Sequence, residues 1–375
     1  MADFSLDRLL GGLSPERFLA EYWQKKPLLV RQALPGFGGW LDRAGLSRLA
    51  CRDDAESRLV QFQRKQCLLD HGPFEEADLD VLPRRGWSLL VSGVNHLLPE
   101  GDDLLHRFDF IPQARLDDLM VSFAPPGGGV GPHFDSYDVF LIQGQGRRRW
   151  EISGQDDLEV VEGAPLRILK RFRVDQSWEL EPGDMLYLPP GWAHDGVALG
   201  ECMTYSVGFR QPARGELARE LLQRLADEAS DALGDAPYRD PGQGATATPG
   251  AVPEAMLDFA RAAVQRLAGD EDMLAMLLGE WLTEPKPDVW FEAAPDAGTD
   301  PARGLRLDRR TRMMYDGQHV FINGEGFRAS GRDAELMCRL ADAHVLPAAQ
   351  RRRLSAPARG LLAEWLQAGW LHEHD

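Results

Sequence analysis

Two glycine- and proline-bounded stretches restrict the folds open to this chain more than anything else in it. The first is Gly127-Gly-Gly-Val-Gly-Pro-His133-Phe-Asp135-Ser-Tyr137. The second is Glu181-Pro-Gly183-Asp-Met-Leu-Tyr-Leu-Pro189-Pro-Gly191-Trp-Ala-His194. In an extended strand, residues i and i+2 face the same way. His133 and Asp135 therefore point to one place. His194 lies 61 residues further on (194 − 133). A fold that brings it to the same place must set distant strands face to face, as a barrel or sandwich does. Glycines allow the sharp turns this needs, and proline ends strands at a rim.

The surrounding pattern agrees. Leu119-Met-Val-Ser-Phe123, Val139-Phe-Leu-Ile142, Arg149-Trp-Glu-Ile152, Met185-Leu-Tyr-Leu188 and Thr204-Tyr-Ser-Val207 are short β-rich runs between Gly- and Pro-rich turns. Such punctuation reads as a sandwich or barrel. Upstream, Ser14 followed by Pro15 opens a helix, and Pro27-Leu-Leu-Val30 reads as a short strand. Downstream, residues 213–232 and 254–283 carry apolar positions three and four apart, the mark of amphipathic helices. Residues 233–253 and 283–300 read as connectors. The tail from 304 shows a hairpin, Arg312-Met-Met-Tyr to His319-Val-Phe-Ile322 with Asn323-Gly324 after it, and then two helices.

With 375 residues the chain is long enough for a large core without cross-links. Its four cysteines, Cys51, Cys67, Cys202 and Cys338, form no CxxC pair. A disulfide scaffold and a cysteine-rich zinc module are thereby excluded, and a reducing compartment is expected. No run of 18 apolar residues is present, and MADFSLDRLL lacks the basic start of a leader. The chain reads as cytoplasmic, with no membrane partner. Its formal net charge of −17 opposes nucleic acid and favours a basic partner.

Two imidazoles and one carboxylate on one face of a metal leave three positions open. That is the ligand set of non-haem Fe(II) oxygenases, whose open positions take a cosubstrate and O2. His133, Asp135 and His194 are thus the candidate metal ligands and catalytic centre. The other seven histidines, His71, His96, His106, His319, His344, His372 and His374, lack a convergent partner in the sequence.

Both stretches resemble the paired motifs of cupin barrels, with Asp135 where one histidine is usual. The spacing Gly-x5-Pro-x-Gly-x2-His runs through Gly183, Pro189, Gly191 and His194. The glutamate expected in many cupins four or five residues after the second ligand is replaced by Val139 and Phe140, which disfavours a manganese cupin. The chain is similar to the JmjC-type cupin oxygenases. Within them it resembles the bacterial ribosomal oxygenases, arginine hydroxylases of large-subunit ribosomal protein sixteen. The residues that carry the likeness are Phe18 to Arg31, Gly127 to Val139, Gly144-Gln-Gly-Arg-Arg-Arg-Trp150, Pro189 to His194 and Tyr205-Ser-Val-Gly-Phe-Arg210.

The resemblance implies a mixed architecture. A double-stranded β-helix core of the jelly-roll, cupin type (91–212) would follow an N-terminal α/β cover (1–90). A helical dimerisation segment (213–285) and a C-terminal winged-helix-like domain (286–375) would complete it. It also implies Fe(II), 2-oxoglutarate and O2, with a basic ribosomal protein as substrate and a homodimer as assembly. A 2-oxo acid needs a cation for its far carboxylate, and the arginine fork suits one. Alternation places Arg148 opposite Arg147 and Arg149 without saying which face looks inward. The resemblance points to Arg148, with Ser122 as its hydroxyl partner. A guanidinium substrate needs an acidic, hydrogen-bonding slot. Tyr137, on the Asp135 face, Asp118, just before the Ser122 strand, and Ser206 are its candidates. Competing readings are an oxygenase of histidine, methyl-lysine or a small molecule, and a non-catalytic cupin sensor with a DNA-binding end domain.

Overall fold

Eleven strands build the first part of the chain: β1 (Leu28–Val30), β2 (Ser57–Gln63), β3 (Gln66–His71), β4 (Trp87–Val91), β5 (Leu116–Ala124), β6 (Asp138–Gln143), β7 (Arg148–Ser153), β8 (Gln176–Leu180), β9 (Met185–Leu188), β10 (Ala193–Ala198) and β11 (Cys202–Phe209). The structure is a computed structural model and describes residues 6–63, 66–294 and 300–374. Half of the MADFSLDRLL opening and residues 295–299 of the expected second connector lie outside those. The chain divides into two compact units, Met1–Gln211 with Pro287–Trp290, and Pro212–Lys286 with Phe291–Asp375.

In the first unit an eight-stranded sheet has the order β1-β9-β6-β11-β5-β4-β2-β3, and a three-stranded sheet the order β10-β7-β8. Every pairing is antiparallel. This is the jelly-roll core expected from the punctuated β-runs. Strand alternation sorts the large sheet's side chains. Leu119, Val121 and Phe123 of β5, Phe140 and Ile142 of β6, and Met203, Tyr205, Val207 and Phe209 of β11 join one core with Leu9, Leu10 and Phe18 from the N-terminal segment. Val139 and Leu141 of β6 face the other way, into a cluster with Trp150, Ile152, Leu180, Leu186 and Leu188. The large sheet is thus covered on both faces, which is why its runs are nearly continuously apolar. Within the expected N-terminal α/β cover, β2, β3 and β4 extend the same sheet.

The cover is pinned by polar groups at its seams. Ser14 caps the helix Pro15–Glu21 by accepting from Arg17 N–H at 3.3 Å. The Tyr187 hydroxyl donates to Asp138 Oδ1 at 2.7 Å and accepts from Gln24 N–H at 2.8 Å. The Tyr205 hydroxyl accepts from Trp40 and Leu41 N–H, each at 3.1 Å.

The second unit opens with helices Arg214–Asp227, Ala229–Leu233, Glu254–Ala268 and Glu271–Thr283. The helix Glu254–Ala268 buries no residue and exposes Met256, Leu257, Phe259 and Val264. Next come β12 (Gly304–Leu307), β13 (Met313–Tyr315), β14 (His319–Ile322), β15 (Glu325–Arg328), β16 (Val345–Leu346) and β17 (Leu371–His374). Asn323 (φ 48°) and Gly324 (φ 90°) make the tight turn between β14 and β15, a use suited to Asn-Gly. Two three-stranded sheets pack with helices Gly331–Ala343 and Ala356–Gln367 around Leu305, Ile322, Leu336, Leu340 and Trp365. This is the winged-helix-like end expected from the hairpin and helix pattern.

Asp308 is a buried charge of this unit. Burial opposes its ionisation. His372 Nε2 at 2.8 Å, and Arg310 through its backbone N–H and its Nε, outweigh that and hold the carboxyl well below its usual range. A lowered carboxyl pKa stabilises the fold above the unfolded value of 3.8, and the contribution is lost as pH falls through the folded value. Asp308→Asn should therefore cost about 2 kcal/mol at neutral pH. The gap to wild type should close on acidification between about pH 5 and pH 1. Urea unfolding across pH checks this, and a gap that stayed constant would refute the linkage.

Candidate metal centre

The two stretches that carry His133 and His194 are clasped by backbone hydrogen bonds. His133 N–H donates to His194 O at 3.0 Å, and His194 N–H to His133 O at 2.8 Å. Gly191 N–H donates to Asp135 O at 2.8 Å. His194 lies on β10, but His133 makes only an isolated bridge and β6 does not begin until Asp138. The extended strand expected for His133 and Asp135 is therefore a loop held by these three bonds. Gly131 shapes it. Its φ is +83°, and a Cβ there would sit 2.9 Å from the Phe62 ring.

Three ligand atoms, one each from His133, Asp135 and His194, lie within 4.8 Å of one another. Asp135 Oδ2 is 3.8 Å from His133 Nε2 and 3.6 Å from His194 Nε2. Both Nδ1 atoms face backbone carbonyls, His133 that of Gly131 at 2.8 Å and His194 that of Trp192 at 2.9 Å. A carbonyl only accepts, so each Nδ1 carries the hydrogen and each Nε2 presents its lone pair inward. That is the tautomer a metal requires. Burial, reinforced by the facing His133, pushes His194 down to about 4. Its imidazole is therefore neutral near pH 7. Two nitrogens and one carboxylate oxygen on one side fit Fe(II) and leave the other side open.

That open side is a cavity of about 380 Å³. Its walls include Leu90, Met120, Val139, Leu141, Trp150 and Leu166. Period-two geometry delivers its polar groups: Ser122 with Met120 from β5, Thr204 with Ser206 from β11, and Arg148 with Trp150 from β7. Arg148 is 4% exposed, and its Nε and Nη2 are buried without a hydrogen-bond partner. Its guanidinium lies 5.7 Å from the Trp150 ring. A buried, unpaired cation is costly unless a ligand supplies acceptors. A dicarboxylate such as 2-oxoglutarate fits that requirement. Arg147 and Arg149 lie on the opposite face, half exposed, each 3.3 Å from a glutamate, Glu179 and Glu151.

The slot residues are placed unequally. Tyr137 and Ser206 line the cavity. Asp118 shares the β5 face of Met120 and Ser122 but is not a lining residue, and its Oδ2 accepts from Gly93 N–H at 2.9 Å. Asp118 O and the Tyr137 ring both lie about 4 Å from where a Cβ on Gly208 would be, so the two flank that glycine. Among the described residues, Asp135 is the only carboxylate lining the cavity. Polar or large lining residues not singled out from sequence include Arg58, Arg167, Met120, Trp150 and Thr204. Parity with Ser122, Arg148 and Ser206 marks Met120, Trp150 and Thr204. Nothing local marks the two arginines.

A JmjC-domain family model matches residues 103–217, and a ROXA-like winged-helix model matches residues 266–372. Ribosomal protein uL16 3-hydroxylase of Escherichia coli is 36% identical over 330 residues, 84% of this chain and 86% of that protein. A probable ribosomal oxygenase of Haemophilus influenzae is 42% identical over 207 residues, 53% of this chain and 50% of that protein. The solved structure of YcfD, a ribosomal oxygenase from Escherichia coli, in complex with cobalt and 2-oxoglutarate has a TM-score of 0.80 at 33% identity, covering 97% of this chain and 99% of that one. An X-ray structure of the same protein has a TM-score of 0.85 at 32% identity, covering 96% and 98%.

Proposed function

Since the chain belongs to the ribosomal-oxygenase family of JmjC-domain proteins, we propose that it is an Fe(II)- and 2-oxoglutarate-dependent dioxygenase that hydroxylates Cβ of an arginine in a ribosomal protein of the uL16 type. The observation that carries the reading is Arg148. A buried guanidinium with two unpartnered nitrogens opens into the same cavity as the His133, Asp135 and His194 donors.

Each residue then has a task. His133, Asp135 and His194 hold the iron, with Gly131 O and Trp192 O fixing both rings. Arg148 and Ser122 hold the far carboxylate of the cosubstrate. When bound, iron, 2-oxoglutarate and O2 supply the oxidation: the cosubstrate leaves as succinate and CO2, and one oxygen atom enters a C–H bond. Apolar walls from Leu90 to Trp150 keep water from the reacting carbon. Tyr137 and Ser206 orient the target guanidinium, with Asp118 further along the β5 face of Ser122. The test is stoichiometry. With ribosomal protein present, succinate formed should match hydroxyarginine formed one for one. Succinate formation that ribosomal protein neither stimulates nor couples to would overturn the reading.

The partners follow from the surface. A net charge of −17 draws a basic protein from a distance. The same net charge disfavours a polyanion, so we propose no direct nucleic-acid binding. Among the described residues no helix is long and apolar enough to cross a membrane. We place the protein in the cytoplasm with its substrate. We further propose a homodimer through helix Glu254–Ala268, whose Met256, Leu257, Phe259 and Val264 are 42–66% exposed. Light scattering should return the mass of two chains. Leu257→Asp with Phe259→Asp should return one. A wild type that scatters as one chain at micromolar concentration removes the dimer.

A further inference from the structure

Two arginines in the cavity wall serve neither the metal, the cosubstrate nor the guanidinium slot. Arg58 stands on β2 in a cross-sheet row that runs Arg58, Leu90, Ser122, Thr204. It is two strands, about 10 Å, from Ser122. Among the described residues its one polar contact is the Met120 sulfur at 3.7 Å, a weak acceptor. Arg167 lies in the segment between β7 and β8. That segment is held beside the metal loop by Leu169 N–H donating to Pro132 O at 2.8 Å. No carboxylate lies near enough to Arg58 or Arg167 to pair with either among the described residues. Both line the same cavity as His133 and Arg148.

Arg58 is partly buried and Arg167 is exposed at the cavity rim, so water serves both until an entering ligand displaces it, and that ligand must then offer acceptors of its own. The cosubstrate has Arg148 on β7 of the other sheet and Ser122, two strands from Arg58. An acidic side chain on the substrate would serve, but the substrate proposed above is a basic protein. What every peptide does offer is main-chain carbonyl oxygens, one per residue with two lone pairs each. This chain satisfies other arginines in that way. Arg43 donates to Leu79 O at 3.3 Å, and Arg351 donates to Asp300 O at 2.8 Å and Arg303 O at 3.0 Å beside its pairing with Glu373. We infer that Arg58 and Arg167 donate to main-chain carbonyls of an extended substrate segment beside the target residue. The pair makes the site read a polypeptide rather than a free amino acid. This rests on the reading that the substrate is a protein arginine.

The test uses the full chain with Fe(II), 2-oxoglutarate and a ribosomal-protein peptide that contains the target arginine. Arg58→Ala and Arg167→Ala should each raise the peptide KM about tenfold, the worth of a charge-assisted hydrogen bond. The kcat and the 2-oxoglutarate KM should stay within about twofold. Arg58→Lys should recover only part of the loss, since an ammonium has no planar fork. With wild-type enzyme, ester-for-amide replacement in the residues flanking the target weakens the carbonyl acceptors and should also raise KM. The same esters should cost the Arg58→Ala enzyme less, because the two changes touch one interaction. A rise in the 2-oxoglutarate KM instead would give Arg58 to the cosubstrate and overturn the inference. So would a loss confined to peptides that contain Asp or Glu, or oxidation of free arginine as readily as of the peptide. The last two leave the arginine reading standing. A wild type that oxidises no ribosomal peptide or protein removes both.

Discussion

Replacing His194 by alanine should lower 2-oxoglutarate turnover by more than about a hundredfold, beyond the effect usual for a group that only supports a ligand. His194 is 3% exposed, neutral, tied through Nδ1 to Trp192 O, and aims Nε2 at the other two donors. Its loss removes one of three protein ligands, and nothing among the described residues offers a fourth. His133→Ala and Asp135→Ala should do the same. Asp135 gives the cleanest version. Its side chain is 43% exposed, so Asp135→Ala should melt near the wild-type temperature while losing iron and turnover together. Normal iron-dependent turnover in two of these three variants would show that the metal is held elsewhere.

Arg148→Ala should raise the 2-oxoglutarate requirement by about tenfold to a hundredfold, because a charge-assisted hydrogen bond to a carboxylate is worth about 1.5–3 kcal/mol. Arg147→Ala and Arg149→Ala should stay within about twofold. Their side chains are 56% and 41% exposed and lie against surface glutamates, where pairs contribute little. The Arg148 substitution also has a consequence of opposite sign. Without cosubstrate, its Nε and Nη2 are buried and unpartnered. Arg148→Met fills a similar volume without charge, so the cosubstrate-free protein should be as stable as wild type or more so. Adding 2-oxoglutarate should raise the melting temperature of wild type and not of the variant. Equal kinetic effects at all three arginines, or an unchanged melting shift in Arg148→Met, would remove Arg148 from the cosubstrate site.

How far the sequence reached depends on which interactions are local. His133, Asp135 and His194 are legible because glycines and prolines at fixed offsets leave few ways to place them. The loop that carries the first two is not legible as a loop, since its shape depends on Gly191 N–H reaching Asp135 O from another segment. Parity sets Arg148 apart from Arg147 and Arg149 but does not say which face is inward, and the resemblance made that choice. In the structure Trp150 and Ile152 share its face and are buried, which identifies that face as the inner one. The two-sided burial of the large sheet is written in Leu119-Met-Val-Ser-Phe123, whose residues are apolar or small on both faces. The assignment of β2 to that sheet is not so written. It depends on β4 pairing with β5, and no periodicity within Ser57–Gln63 reports it. Arg58 is invisible for the same reason, as its place in the wall comes from a row across four strands.

The central claim is that one cavity combines the iron ligands, the cosubstrate cation and an arginine of a ribosomal protein. Tandem mass spectrometry tests it most directly. Purified ribosomal proteins are incubated with the enzyme, Fe(II), ascorbate and 2-oxoglutarate, beside a His194→Ala control. One added oxygen is expected on a single arginine of a uL16-type protein, placed at Cβ by fragmentation and absent from the control. Added oxygen on histidine or lysine with arginine untouched, or no oxygen gained while 2-oxoglutarate is consumed, would contradict it.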